Sequence, residues 1–380
     1  MFQLTSDQIR NNISSLPQEF SVDILDIPGY ELVLSCTHAP SKLDAIIAIH
    51  SLDLGPSLGG IRYFSYKHRQ EALHDALRLS KAMTYKSATA GVGIGGGKSV
   101  IIGKPEDKTP ALLHAFAEFV NVLEGRYIAA KDVGMTEKDL HIVEEKTPYV
   151  VGLDKPHSSG NPSHFTAWGV YIGMRSLWKK ITGSTSLQGA SIAIQGLGSV
   201  GWLIAERLFW EGADLLVNDI DPGKMELASL HFGASIVSEK SIATTKCDIF
   251  CPAALGAVLS SKNIPFLDAK LIAGAANNPL TDSQDAEMLE ERGIIYAPDY
   301  VINAGGLFNV VTELDSSGYC PVKARERTSH LSPSLVSIFD SSRKKRISML
   351  SAAKSLAEYR LQYNIGRRQE RIDFHKRTIL

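Results

Sequence analysis

The hydrophobic rhythm of the chain changes near its middle. In the first part, "YELVLSCTH" (30–38), "LDAIIAIHSL" (43–52) and "SVIIG" (99–103) are rich in β-branched and apolar positions and predict strands. Between them, "RQEALHDALRLSKAMTYKSA" (69–88) sets Leu73, Ala76, Leu77 and Met83 at helical spacing. A second helix, "TPALLHAFAEFVNVLEG" (109–125), opens on Thr-Pro and closes on glycine. "YIAAKDVG" (127–134) reads as a short strand running into a loop that carries Asp132. The stretch 154–166, "DKPHSSGNPSHFT", has no period and is a natural boundary. Beyond it strand and helix alternate: "ASIAIQGLGSVGWLIAERLFWEGADLLVNDID" (190–221) is strand, glycine turn, helix, strand. "CDIFCPAAL", "LIAGAAN" and "GIIYAP" follow as buried strands, and helices are expected from Leu331 onward. That alternation predicts a parallel, doubly wound sheet.

The expected architecture is therefore α/β in two domains. An N-terminal α/β domain covers 1–160, and a dinucleotide-type domain covers 161–334. C-terminal helices, about 335–380, return towards the first. A chain of 380 residues has length enough for two cores. Its net charge of −1 gives no field favouring nucleic acid. The basic runs "SSRKKR" (341–346) and "GRRQER" (366–371) are expected to be solvated helix faces. No apolar run reaches the roughly 20 residues of a membrane helix. The opening residues lack the pattern of a secretory signal, so a cytoplasmic location is expected. Cys247 and Cys251 have no histidine pair beside them, so no metal site is expected; they read as buried thiols in a strand and its exit loop.

Two glycine-rich stretches carry the chemistry. In "AGVGIGGGKSV" (90–100) the closing Gly97-Lys98-Ser99 suggests a phosphate loop. That loop would need its first glycine at Val92; the glycine is at Gly91, and a strand rather than a helix follows. Nucleotide hydrolysis is disfavoured on both counts. Small residues before Lys98 instead let a ligand or other backbone approach, and a desolvated lysine suits general base work. In "IAIQGLGSVG", Gly196, Gly198 and Gly201 complete G-x-G-x-x-G between a strand and a helix. Asp219 follows Gly196 by 23 residues, where an acid would bind the adenosine ribose and disfavour a 2′-phosphate. NAD is therefore expected over NADP.

Taken in order, "AIIAIHSLDLGPSLGGIRYF", "EALHDALRLSKAMTYKSATAGVGIGGGKSVIIG", "GRYIAAKDVGMT", "SSGNPSHFTAWGVYIGM", "IQGLGSVG", "CDIFCPAALGAVL", "LIAGAANNPL" and "YAPDYVINAGGLFNV" resemble the amino acid dehydrogenases of the glutamate/leucine/phenylalanine/valine group. The likeness runs from about Leu43 to Leu314 and is greatest to the leucine-acting members. It implies that Lys86 binds the substrate α-carboxylate, that Lys98 activates water, and that Asp132 shuttles protons at the amino group. It implies a substrate pocket drawn from Leu58, Gly59, Met83, Ala130, Asn278, Leu307 and Val310. It also implies cofactor contacts from Gly196, Leu197, Gly198, Ser199, Val200, Gly201, Asp219, Ala253, Ala254 and Asn303. Glutamate-acting relatives carry lysine where Leu58 stands and serine where Val310 stands, so an apolar substrate is implied. Leucine comes first, with valine and isoleucine possible. Ala130 resembles the leucine enzymes, whereas a leucine at 307 resembles aromatic-preferring ones, so phenylalanine or tryptophan stays open. The implied reaction is a reversible oxidative deamination giving a 2-oxo acid, ammonia and NADH in a homo-oligomer, octamer or dimer. A non-catalytic NAD(H) sensor is the alternative from another class. It is suggested by Lys131 beside Asp132 and by Met135 in place of a threonine. The first twenty or so residues lie beyond the resemblance and are expected to be a tail or an oligomer contact.

Overall fold

The computed structural model describes residues 5–238, 242–254 and 256–374. Leu255, in the segment read as a strand end, falls outside them, as do 1–4 and 375–380. The chain divides into two compact units. The first comprises 1–161, 310–320 and 358–380; the second comprises 162–309 and 321–357. Residues 335–357, expected with the first unit, belong to the second, because the helix over Leu331–Lys345 buries Leu331, Leu335 and Ile338 there.

In chain order the first unit has α1 (Ser6–Ser14), β1 (Phe20–Leu25), β2 (Leu32–His38), β3 (Leu43–Ser51), β4 (Ser57–Phe64) and α2 (Arg69–Ala90). It continues with β5 (Gly95–Ile102), α3 (Pro110–Asn121), β6 (Tyr127–Lys131) and α4 (Glu137–Glu144). The strands form one sheet in the order β1-β2-β3-β5-β4-β6. The pairs from β1 to β5 are antiparallel, while β5–β4 and β4–β6 are parallel. A period of two then sorts the side chains onto two faces. One face carries Ile47, Ile49, Ile61, Tyr63, Ile101, Tyr127 and Ala129, and buries them with Phe116 and Phe119 of α3 and Leu140 of α4. The other carries Val33, Ile46, Ala48 and Val100 under Ala72 and Ala76 of α2. From residue 5 onward the N-terminal segment is not a tail: α1 puts Ile9 into the larger core, and β1 pairs with β2 over its full length.

Local sequence explains the helix ends. Thr109 accepts the Leu112 N–H ahead of Pro110, which opens α3. Thr136 and Asp139 form a capping box for α4. Helix α2 stops at Gly91, whose φ of +66° is left-handed.

The second unit has α5 (Ser163–Thr182), β7 (Ser191–Gln195), α6 (Ser199–Trp210), β8 (Asp214–Asn218), α7 (Pro222–Phe232), β9 (Ser235–Ile236), β10 (Ile249–Pro252) and β11 (Leu271–Ile272). Next come α8 (Gln284–Glu291), β12 (Ile295–Tyr296) and α9 (Asp299–Ile302). Then α10 (Gly305–Thr312), α11 (Pro321–Ser329), α12 (Leu331–Lys345) and α13 (Met349–Gln362) complete the chain order. All strands are parallel, in the order β12-β11-β10-β7-β8-β9. The first strand of this unit is central and the winding reverses between β7 and β10. This is the doubly wound dinucleotide-binding order. Cys251 lies in β10 and not in its exit loop, and Cys247 precedes the strand. Burial pushes the Cys251 thiol up to about 12 and the Cys247 thiol to about 11, so neither is a reactive thiolate.

The two basic runs differ. Arg343–Lys345 form the last turn of α12. "GRRQER" is not helical: Arg368 is half-buried and donates to the carbonyls of Gly93 and Leu314. The expected solvated helix face holds only for the first.

Candidate active site

In the first unit, strand register brings the candidate residues together. Leu58 pairs with Gly96, Gly60 with Ala130, and Ala48 with Lys98. Because Ile61 and Ala129 face the larger core, Leu58, Gly60, Arg62 and Ala130 face the other way. Lys98 lies on that same face, two positions from Val100. Asp132 follows the last residue of β6. On α2, Met83 and Lys86 are three positions apart on one side and half-buried.

Lys98 was expected at a strand entrance behind a glycine loop; it lies inside β5, and three of the glycines are strand residues. Each glycine answers to a neighbour. A Cβ on Gly96 would lie 2.1 Å from the Thr84 nitrogen of α2. On Gly97 it would meet the Tyr127 ring at 2.8 Å, and on Gly59 the Gly97 carbonyl oxygen at 1.9 Å. On Gly60 it would meet Asp132 Cβ at 2.6 Å and Lys98 Nζ at 3.3 Å. The glycines thus bring helix, ring and ion pair onto the sheet at distances no side chain permits.

Lys98 Nζ donates to Asp132 Oδ2 at 2.5 Å, and the lysine is only 6% exposed. Arg62 Nε donates to the same Asp132 oxygen at 3.1 Å, while its other arm reaches Asp75 at 2.7 Å. Asp75 also accepts from Tyr66 and Arg78. Burial lowers the Lys98 pKa, and Asp132 offsets only part of that. Burial alone would raise Asp132, but Lys98 and Arg62 hold it below the usual carboxylate range. The result is an ionised carboxylate beside an ammonium that gives up its proton more readily than an ordinary lysine. That pairing suits moving protons at a carbon bearing nitrogen or oxygen.

The loop behind Asp132 is held in place. Gly134, at φ +81°, brings its backbone against the Tyr63 carbonyl, and Tyr63 N–H donates to Val133 O. Lys108 donates to Gly134 O at 2.7 Å and to Asp139 at 2.5 Å. Lys131 pairs with Glu137 at the exposed surface, and Met135 is buried in the larger core. Neither residue opposes the Lys98–Asp132 pair, which removes the motive for a sensor reading.

The second unit supplies a dinucleotide turn. Gly196 has φ +99°, and a Cβ there would press on Ala253 and Ala254 at the end of β10. On Gly201 a Cβ would sit 2.0 Å from Gly196 O. Around Gly198 nothing lies within 4 Å of a would-be Cβ. It caps α6, whose first residues are Ser199 and Val200. Two tight glycines and one open one fit a pyrophosphate on a helix N-terminus at the switch point. Asp219 accepts from Leu197 N–H at 2.6 Å, which holds its carboxylate at the turn. Buried Asn303 donates to Asn277 Oδ1 at 2.7 Å. Asn278, expected in the substrate pocket, is exposed in a left-handed conformation with its N–H on Asp299. Leu307 and Val310 are one turn apart on α10, both buried.

Sequence reasoning missed Arg62, Asp75, Tyr66, Lys108 and Asn277. The alternation in "LGGIRYF" was the available signal for Arg62, since it shares a face with Leu58 and Gly60.

A doubly wound sheet with this turn, in one chain with a buried lysine–aspartate pair, defines a dinucleotide-linked oxidoreductase. Comparison with known proteins agrees. Residues 35–149 match the family model described as Glu/Leu/Phe/Val dehydrogenase, dimerisation domain. Residues 216–357 match that of the Glutamate/Leucine/Phenylalanine/Valine dehydrogenase. The chain is 44% identical to the leucine dehydrogenase of Thermoactinomyces intermedius over 342 residues, covering 90% of this chain and 93% of that one. It is also 44% identical to the L-tryptophan dehydrogenase of Nostoc punctiforme over 334 residues, covering 88% and 94%. A crystal structure of L-tryptophan dehydrogenase from Nostoc punctiforme superposes with TM-score 0.79 at 42% identity, covering 88% of this chain and 96% of that one. The chain belongs to the Glu/Leu/Phe/Val dehydrogenase family and is an amino acid dehydrogenase using a nicotinamide dinucleotide.

Proposed function

We propose that the chain catalyses the reversible oxidative deamination of an apolar L-amino acid, leucine first, with NAD. The observation that carries this reading is the buried Lys98–Asp132 pair on the sheet face that also bears Leu58 and Ala130. A glutamate side chain against Leu58 would leave a carboxylate without a partner there, at a cost of several kcal/mol. Valine and isoleucine remain substrates of the same pocket. A second reading, a preference for phenylalanine or tryptophan, is favoured by buried Leu307 and by equal identity to the leucine and tryptophan relatives.

In this mechanism Lys86 holds the α-carboxylate, with Met83 beside it, and fixes Cα. The bound nicotinamide supplies the hydride acceptor. Gly196, Leu197, Gly198, Ser199, Val200 and Gly201 hold the pyrophosphate, Asp219 the adenosine ribose, and Ala253, Ala254 and Asn303 complete the cofactor contacts. Lys98 takes a proton from the water that adds to the imino carbon, and Asp132 carries protons to and from the departing nitrogen. Asp219 disfavours a 2′-phosphate by like-charge repulsion, hence NAD over NADP.

We also propose a homo-oligomer, octamer or dimer, on the strength of the dimerisation-domain match; mass in solution by light scattering tests it. A cytoplasmic location is proposed too. Among the described residues no helix is long and apolar enough to cross a membrane.

The deciding experiment is reduced-dinucleotide formation with NAD or NADP on leucine, valine, isoleucine, phenylalanine, tryptophan and glutamate. Leucine-first turnover with NAD supports the proposal. An aromatic preference moves the weight to Leu307, and glutamate turnover sinks the reading of Leu58.

A further inference from the structure

The second unit contains a cavity of about 510 Å³ that the dehydrogenase reading does not use. It is lined by Phe165 and Trp168 of α5, Arg207 of α6, and Val322 and Arg325 of α11, with His164 at its edge. This volume is in the range of about 300–1,000 Å³ usual for small-molecule sites. Its lining residues include two arginines and no carboxylate. Neither arginine forms an ion pair among the described residues. The Arg207 guanidinium lies 5.4 Å from the centre of the Trp168 ring, stacked against it. Its Nε is buried with no hydrogen-bond partner, and so is the indole Nε1 of Trp168. Both atoms are enclosed by protein, so the groups left to meet a ligand in the cavity are the aromatic side chains and the terminal nitrogens of the two arginines. Thr166, between Phe165 and Trp168 in sequence, spends its hydroxyl on Pro162 O and is not part of the lining.

We propose that this cavity is a second small-molecule site that takes an arylcarboxylate: a flat aromatic body carrying one carboxylate. The ring stacks among Phe165, Trp168 and Val322. The carboxylate accepts from the Arg207 and Arg325 guanidinium groups, whose planar forks match it in shape. The site lies wholly within the second unit and shares no residue with the Lys98–Asp132 pair or the glycine turn, so the proposal does not rest on the choice of amino acid substrate.

The test uses the intact enzyme and indole-3-acetate, which has neither an amino nor a 2-oxo group to react. Binding is followed by isothermal titration calorimetry with the dinucleotide and the amino acid substrate both saturating. The expected result is saturable binding that survives this saturation. Replacing the probe by neutral indole-3-acetamide should weaken it at least about tenfold, and so should Arg325→Ala. Arg325 is exposed on α11, so its variant should keep wild-type turnover. The proposal is overturned if the amino acid displaces the probe, if the amide binds as well as the acid, or if Arg325→Ala binds it like the wild type.

Discussion

Gly60→Ala adds a single methyl group directly beside the Lys98–Asp132 pair. That methyl would lie 2.6 Å from Asp132 Cβ, 3.1 Å from Lys131 O and 3.3 Å from Lys98 Nζ. Carbon atoms in contact rest at about 3.5–4.0 Å, so Asp132 must withdraw by roughly 1 Å. It has little freedom to do so. Gly60 is registered on Ala130, and the loop beyond Asp132 is tied to Tyr63 and Lys108. The Lys98–Asp132 hydrogen bond, at 2.5 Å, is the contact that yields. A displacement of about 1 Å at reacting groups costs on the order of 100-fold in rate. Overpacking costs a further 1–3 kcal/mol, roughly, in stability. The assay is kcat and KM for the amino acid, run beside thermal unfolding and dinucleotide affinity. We expect kcat to fall by about two orders of magnitude. Dinucleotide affinity should stay near wild type, since Gly60 belongs to the first unit and the glycine turn to the second. A Gly60→Ala enzyme with wild-type kcat and unchanged melting would show that the pair tolerates the intrusion, and the positional argument would fail.

Three further outcomes follow from the same geometry. Burial lowers Lys98, so kcat/KM should rise with pH and level off below the ordinary lysine range; Arg62 contributes to that lowering, so Arg62→Gln should move the rising limb to higher pH, and an unmoved limb would remove Arg62 from the site's electrostatics. Asp75 is held down to about 2 from 3.8, worth about 2 kcal/mol that is present above pH 4 and lost as pH falls towards 2; Asp75→Asn should lose this at neutral pH in urea unfolding and flatten the acid side of the stability curve. Gly198→Ala meets no atom within 4 Å, so its melting temperature should hold while dinucleotide affinity drops about tenfold or more by titration; Gly201→Ala, 2.0 Å from Gly196 O, should instead lose stability.

The second unit was legible because its strands are buried on both faces and separated by helices, which leaves continuous apolar runs in the sequence. The turn at Gly196–Gly201 was equally clear, since its glycines serve backbone conformation at fixed spacing. The first unit hid more. Strand β4 contains Gly59-Gly60, which reads locally as a break; only the approach of Gly97 and Asp132, far away in sequence, makes glycine the residue a strand requires there. Similarly, Gly95–Gly97 read as a loop before a strand, although α2 and Tyr127 draw them into β5. Lys86, Lys98 and Asp132 were named from motifs. The partners Arg62 and Asp75 carry no motif and become visible only when β4 is registered against its neighbours. Asn278 was named from a motif that lies in a loop, where the backbone turns left-handed. Periodicity has no purchase there.

The first unit is written in three separate stretches of chain, and the second is inserted between them. Its third stretch does structural work: Arg360 donates to the carbonyls of Ala88 and Thr89, and Arg368 donates to the carbonyl of Gly93. The turn leading into the strand of Lys98 is therefore closed by residues made about 270 positions later. On the ribosome, with about 5–20 residues added per second, Lys98 waits roughly 10–50 s for its clamp. The second unit ends at residue 357, so it is synthesised in full just before Arg360 appears, and the turn before Lys98 stays unsealed until then.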